Sequence, residues 1–172
     1  MKKVAVIGCG GAGKSTLSRV LSEELNIPVY HLDRLYWKPG WIPTEKDEWE
    51  GILKDLISKE EWILDGNFSR TLDIRIKNAD TVIFLNMPMY LCLYRIIKRR
   101  FMYIGKTRPD MNEGCPEKID LDFVKWVCGY NKNQKSRILD KLDMISKEKN
   151  VIILNSSSEV SSFILNLKSN KL

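Results

Sequence analysis

The sequence predicts an α/β protein, a three-layer fold with a five-stranded parallel sheet, helices on both faces and a small helical and loop lid. Three observations lead there. Short apolar runs alternate with stretches of helical spacing along the whole chain, which is the pattern of βαβ units. The runs are apolar at successive positions, as strands buried on both faces are. A glycine-rich segment over residues 8–15 joins the first strand to the first helix.

The elements follow in order. Val4-Ala5-Val6-Ile7 ends at Gly8 and makes the first strand. Leu17, Leu21 and Leu25 lie four apart, so residues 14–25 form a helix. Residues 28–32 are a second strand, ended by Asp33. Thr44 is the expected N-cap of a helix running to residue 59, with Asp47 three places on. Trp62-Ile63-Leu64 is a third strand, stopped by Asp65-Gly66, and residues 71–77 suit a short helix. Residues 81–85 are the fourth strand, and Pro88 suits a helix start. In that helix Tyr90, Leu93, Ile97, Phe101 and Ile104 share one apolar face, expected to be the buried one. Residues 105–116 hold two prolines and two glycines and read as a loop. Residues 121–147 are mostly helical with a break near Gly129; residues 151–154 are a fifth strand and 159–168 a last helix.

A chain of 172 residues, 44% hydrophobic, fits one compact domain and excludes collagen-like, coiled-coil and disordered classes. Within it, residues 34–60 read as an acceptor-side insertion and 95–118 as a lid-like segment. Cys9, Cys92, Cys115 and Cys128 have no CxxC spacing, and His31 is the single histidine, which argues against a zinc site. The apolar run 82–94 is broken by Asn86 and Pro88 and is too short for a membrane span. The expectation is a reduced, cytoplasmic protein, monomer or homodimer, with no membrane partner. The net charge of +6 suits an anionic small ligand as readily as nucleic acid.

Gly8-Cys9-Gly10-Gly11-Ala12-Gly13-Lys14-Ser15 matches GxxxxGK[ST] in full, with a strand before it and a helix after. Glycines allow positive φ and bring backbone N–H groups to phosphate. The helix N-terminus adds positive charge there. The expected ligands are therefore ATP and Mg²⁺. Lys14 reaches the β- and γ-phosphates, Ser15 ligates magnesium and Thr16 donates to the α-phosphate.

Other residues sit at strand ends, where ligands of parallel sheets bind. Asp65 is the expected carboxylate for Mg²⁺; the alternative is a turn cap. Asp33 orients an acceptor hydroxyl or takes its proton, or else caps a turn. Tyr36, Trp37 and Trp41 either stack on a ring or tie a loop down, and Trp37 is the expected substrate contact. Residues 95–108 carry Arg95, Lys98, Arg99, Arg100, Lys106 and Arg108 and no acid. Arg95 and Arg99, one turn apart, are expected to stabilise a transferring phosphoryl group. A solvated basic face and a nucleic-acid patch are the other readings. Of Arg70 and Arg75, Arg75 is favoured as the clamp on an acceptor's anionic group.

The phosphate loop, Asp65-Gly66 and the Arg95–Arg99 pair resemble the nucleoside monophosphate kinase superfamily and its adenylate kinase-like members. A closer resemblance spans nearly the whole chain. It rests on His31-Leu32-Asp33, residues 36–41, Asp65-Gly66-Asn67, residues 91–95, Arg108-Pro109-Asp110-Met111 and Gly114-Cys115-Pro116. These resemble the DNA topology modulation (FlaR-like) proteins, small bacterial proteins classed with adenylate kinase-like P-loop ATPases. The resemblance implies the phosphate loop after the first strand, a lid around residues 95–116, and the roles given above to Lys14, Ser15 and Asp65. Adenylate kinases carry Asp-Gly-Phe-Pro-Arg where this chain has Asp65-Gly66-Asn67-Phe68-Ser69-Arg70, one place out of register.

Two functions follow as expectations. The first is transfer of the γ-phosphoryl of Mg–ATP to a small acceptor, a nucleotide or a hydroxylated metabolite. The second is a nucleotide-dependent regulator of DNA topology or transcription. For direct contact with DNA the chain offers no recognition motif.

Overall fold

A computed structural model describes residues 1–169. The chain starts with strand β1 (Lys3–Gly8) and helix α1 (Lys14–Leu25). Strand β2 (Val29–His31) leads directly into the short helix α2 (Leu32–Tyr36). A two-stranded hairpin, β3 (Trp37–Lys38) and β4 (Ile42–Pro43), precedes helix α3 (Lys46–Ser58). Strand β5 (Trp62–Asp65), helix α4 (Leu72–Asn78) and strand β6 (Thr81–Leu85) follow. Then come α5 (Met89–Met102), α6 (Leu121–Tyr130), α7 (Ser136–Ile145), β7 (Asn150–Leu154) and α8 (Ser157–Ser169).

The main sheet has the order β2-β5-β1-β6-β7, all parallel, as the apolar runs predict. Its three central strands β5, β1 and β6 are buried along nearly their whole length, with Val4, Ala5, Val6 and Ile7 fully covered. Burying a Val- or Ile-sized side chain contributes about 1.5–3 kcal/mol. The centre of the sheet is therefore the rigid base from which the loops at its carboxyl end project. Among the described residues no helix is long and apolar enough to cross a membrane.

Four details differ from the sequence reading. Thr44 does not cap α3: it is buried, and its Oγ1 donates to the Tyr36 carbonyl at 2.7 Å, tying the hairpin to α2. Asp33 does not end a strand but stands in the first turn of α2, because the chain turns helical directly after His31. The expected apolar face of α5 points outward, with Tyr90 73% and Phe101 70% exposed. Cys92 and Ile96 are buried instead. The small Cys92 lets α5 come so close to the phosphate loop that a Cβ at Gly11 would lie 2.4 Å from the Cys92 carbonyl oxygen. A stripe of large side chains cannot occupy that contact. Finally, the break expected near Gly129 is a π-helical turn over Asn131–Lys135, which joins α6 to α7.

Candidate active site

Residues 8–15 form a tight turn between β1 and α1. Gly11 has φ +75° and Gly13 φ +102°, both in the left-handed region. At Gly10, a Cβ would lie 2.8 Å from the ring of Phe123 in α6. Phe123 and Trp126 stack on each other with centroids 5.9 Å apart, so an aromatic wall covers this side of the loop. Lys14 folds back over the loop, its Nζ donating to the Cys9 carbonyl at 3.0 Å. Arg95 of α5 donates to the Ala12 carbonyl at 2.9 Å and to Ser157 Oγ at 3.0 Å.

The loop opens into a cavity of about 860 Å³. Gly10, Gly11, Ala12, Gly13, Lys14, Ser15 and Thr16 all line it, and so do Asp33, Trp37, Arg95 and Arg99. Gly8 belongs to the end of β1, packed against Leu85, and lies behind the cavity wall.

Two expected site residues lie elsewhere. Arg75 is fully buried and donates to three backbone carbonyls, Gly66 at 3.0 Å, Phe68 at 3.0 Å and Thr71 at 3.3 Å. Burial pulls its pKa down to about 10, against the raising effect of Asp65 and Asp33. It holds the chain after β5 in shape and cannot reach an acceptor. Asp65 is 2% exposed and receives His31 Nδ1 at 2.8 Å. Burial by itself lowers the His31 pKa, but the hydrogen bond and charge of Asp65 outweigh it and the net shift is upward. The carboxylates that reach the cavity wall are Asp33, Asp110, Glu117 and Asp120, the last of which caps α6 through the Phe123 N–H.

Asp33 has its pKa raised above the ordinary value of 3.8. Burial is the largest cause, and nearby Asp65 and Asp110 add to it against Lys14 and Arg108. Asp110 is lowered: burial works against its charge, but Arg108 and a hydrogen bond from Ser15 outweigh it. Ser15 and Asp110 therefore present hard oxygen donors side by side, the type Mg²⁺ takes. Among the described residues there is no cluster of three or more His, Cys, Asp or Glu arranged for a metal.

Sequence reasoning missed a buried ion network over the cavity. Glu117 is 3% exposed and receives Arg99 Nε at 2.7 Å. Its other oxygen approaches Arg108 Nε at 2.6 Å, a charge contact without hydrogen-bond alignment. Arg108 also donates to Asp110 at 2.9 Å. The partners are far apart in sequence, and no local spacing marks them. The same loop is zipped to the β3–β4 hairpin. Gly40 N donates to the Gly114 carbonyl at 2.9 Å, Trp41 Nε1 to the Pro116 carbonyl at 3.1 Å and Cys115 Sγ to the Lys38 carbonyl at 3.2 Å. Trp37 and Trp41 meet at 5.6 Å, and Lys118 lies over the Trp41 ring.

A phosphate loop after the first strand of a five-stranded parallel sheet, with helices on both faces, defines a P-loop protein of the small-kinase fold. Two solved structures share that architecture. Shikimate kinase from Acinetobacter baumannii in complex with shikimate aligns with a TM-score of 0.58 at 20% identity, covering 100% of this chain and 96% of that one. Deoxyadenosine kinase from M. mycoides with bound dATP aligns with a TM-score of 0.53 at 16% identity, covering 98% and 100%. No protein-family model matches the chain. It is 35% identical over 137 residues to the uncharacterized protein YqaC of Bacillus subtilis (strain 168), covering 76% of this chain and 73% of YqaC. The chain belongs to the family of YqaC. It is also 30% identical over 110 residues to shikimate kinase of Aquifex aeolicus (strain VF5), covering 54% of this chain and 64% of that enzyme.

Proposed function

We propose that the chain is an ATP-dependent phosphotransferase, adenylate kinase-like in its handling of ATP, that phosphorylates a hydroxyl group of a small acceptor. One observation carries this reading: the phosphate-loop residues Lys14 and Ser15 and the Asp33 carboxylate face the same cavity. The acceptor hydroxyl oxygen bonds to the γ-phosphorus while the bond from that phosphorus to the β–γ bridging oxygen breaks, and ADP leaves with the electron pair. Asp33 takes the hydroxyl proton; its raised pKa suits a proton acceptor. Lys14 exchanges the Cys9 carbonyl for phosphate oxygens, and the loop N–H groups neutralise the rest. Ser15 and Asp110 would hold Mg²⁺, which would supply further charge neutralisation. Arg95 stands beside the loop for the transition state, and Arg99 serves as a latch through Glu117. Residues 95–118 act as the lid and 34–60 as the acceptor-side insertion. An enzyme that consumes ATP in this way fits the cytoplasm.

The basic run offers DNA little. Arg95, Arg99, Arg100 and Arg108 are bound inward to Ala12, Glu117 and Asp110, leaving Lys98 and Lys106 exposed. The test is ADP release from Mg–ATP across hydroxylated acceptors, with Lys14→Ala as the blank. An acceptor that raises release well above basal hydrolysis, and does so only with Lys14 present, supports the reading. Equal release by Lys14→Ala overturns it.

A further inference from the structure

The sheet order divides the cavity. Strands β2 and β5 lie on one side of β1, and β6 and β7 on the other. Arg95, Phe123 and Ser157 come from the β6–β7 side and belong with the phosphate loop. Asp33, Trp37, Trp41, Asn67 and Phe68 come from the β2–β5 side. On the proposed phosphotransferase reading, on which this inference rests, that second half receives the acceptor.

We infer that the acceptor is an uncharged, hydroxyl-bearing molecule with a flat face, of the nucleoside type, and that carboxylated or phosphorylated acceptors are rejected. The buried cations of this half are already engaged. Arg108 faces both Asp110 and Glu117, and Arg99 faces Glu117. Arg75 is sealed behind three carbonyls. Arg19 on α1 and Lys118, which lies over the Trp41 ring, remain on the rim; both are exposed, and solvent screening weakens their hold on an anion. An anionic acceptor would have to break the Glu117 network or sit beside Asp33 and Asp110, and like charges at short range are strongly unfavourable.

The uncharged features point the same way. Trp37, Trp41 and Phe68 present aromatic surface, which suits a planar ring. Asn67 Nδ2 is buried and has no hydrogen-bond partner among the described residues. A buried donor of this kind is costly until an acceptor atom meets it, such as a ring nitrogen or carbonyl of the ligand. Asp33 receives the proton of the reacting hydroxyl, and ATP supplies the phosphoryl group.

The test uses acceptors that differ only in charge: shikimate and its methyl ester, and adenosine and cytidine with their 3′-monophosphates, which keep the 5′-hydroxyl. ADP release is measured with the full chain and Mg–ATP. In parallel, binding is measured by titration calorimetry in the presence of Mg²⁺ and a non-hydrolysable ATP analogue. The uncharged member of each pair is expected to win by about tenfold or more in kcat/KM and in Kd. Glu117→Gln frees Arg99 and leaves Arg108 to Asp110 alone, and is expected to narrow that preference by about tenfold; if it fails to fold, Asp110→Asn, which leaves Arg108 to Glu117 alone, replaces it in the binding titration. Equal or better use of the anionic members in either readout overturns the inference, as does failure of every uncharged member to bind below about 10 mM. Uncharged members that bind tenfold tighter without any phosphoryl transfer would overturn the phosphotransferase reading and leave the acceptor class standing.

Discussion

Arg75 separates a structural from a ligand-binding role in a single measurement. Replacing it with Met keeps the apolar stem and removes the guanidinium. The Gly66, Phe68 and Thr71 carbonyls then lose their donor in a site that water does not reach. Hydrogen bonds from a charged donor are worth about 1.5–3 kcal/mol each, and the two at 3.0 Å count fully. The bond to Thr71, at 3.3 Å, adds less. Against the loss stands the relief of no longer burying a charge, the burial that holds the pKa down at about 10 against the raising effect of Asp65 and Asp33. The net cost is about 4 kcal/mol, within the range for breaking a buried charged network. For a domain of this size 1 kcal/mol moves Tm by about 2–4 °C, so Arg75→Met should lower Tm by about 8–16 °C. Thermal unfolding followed by circular dichroism reads this directly. A Tm within about 2 °C of wild type, together with a raised KM for an acceptor, would refute the reasoning and return Arg75 to the role of clamp.

Three further outcomes follow from other contacts. Gly11→Ala must place a side chain at φ +75° and 2.4 Å from the Cys92 carbonyl oxygen. It costs about 1–2 kcal/mol in backbone conformation and more in displacing α5, so weaker ATP binding and a lower Tm are expected, and an unchanged ATP affinity refutes the packing argument. His31 carries a raised pKa, so its pairing with Asp65 stabilises fully below pH 6.5 and is lost as pH rises through the folded value. Wild type should therefore lose more Tm between acid and alkaline buffers than His31→Asn, and parallel curves count against the pairing. Activity should fall as pH drops through the Asp33 pKa, which lies above 3.8; in Asp33→Asn any residual turnover should lose that acid limb, and a limb that persists assigns it to another group.

The sequence alone determined the parts whose physics is local. Eight consecutive residues contain the glycines, the lysine and the hydroxyl of the phosphate loop, so its conformation and its chemistry are written in one short segment. The five apolar runs determined the sheet, since strands covered on both faces have no polar side to show. Side-chain direction was decided by packing. Helix α5 carries two apolar stripes of helical spacing, and only the approach of the phosphate loop to Cys92 decides that Cys92 and Ile96 go inward while Tyr90 and Phe101 go out. Arg75 looks like a free cation in the sequence, yet three carbonyls of a turn that exists only in the folded chain claim it. Arg99, Arg108 and Glu117 have no shared spacing; the fold of the loop after α5 brings them together. Asp33 and Asp65 both read as strand-end carboxylates, and the tertiary structure assigned one to the cavity and the other to His31. A contiguous motif carries its own geometry, whereas the pairing of distant charges depends on which surfaces the core leaves facing each other.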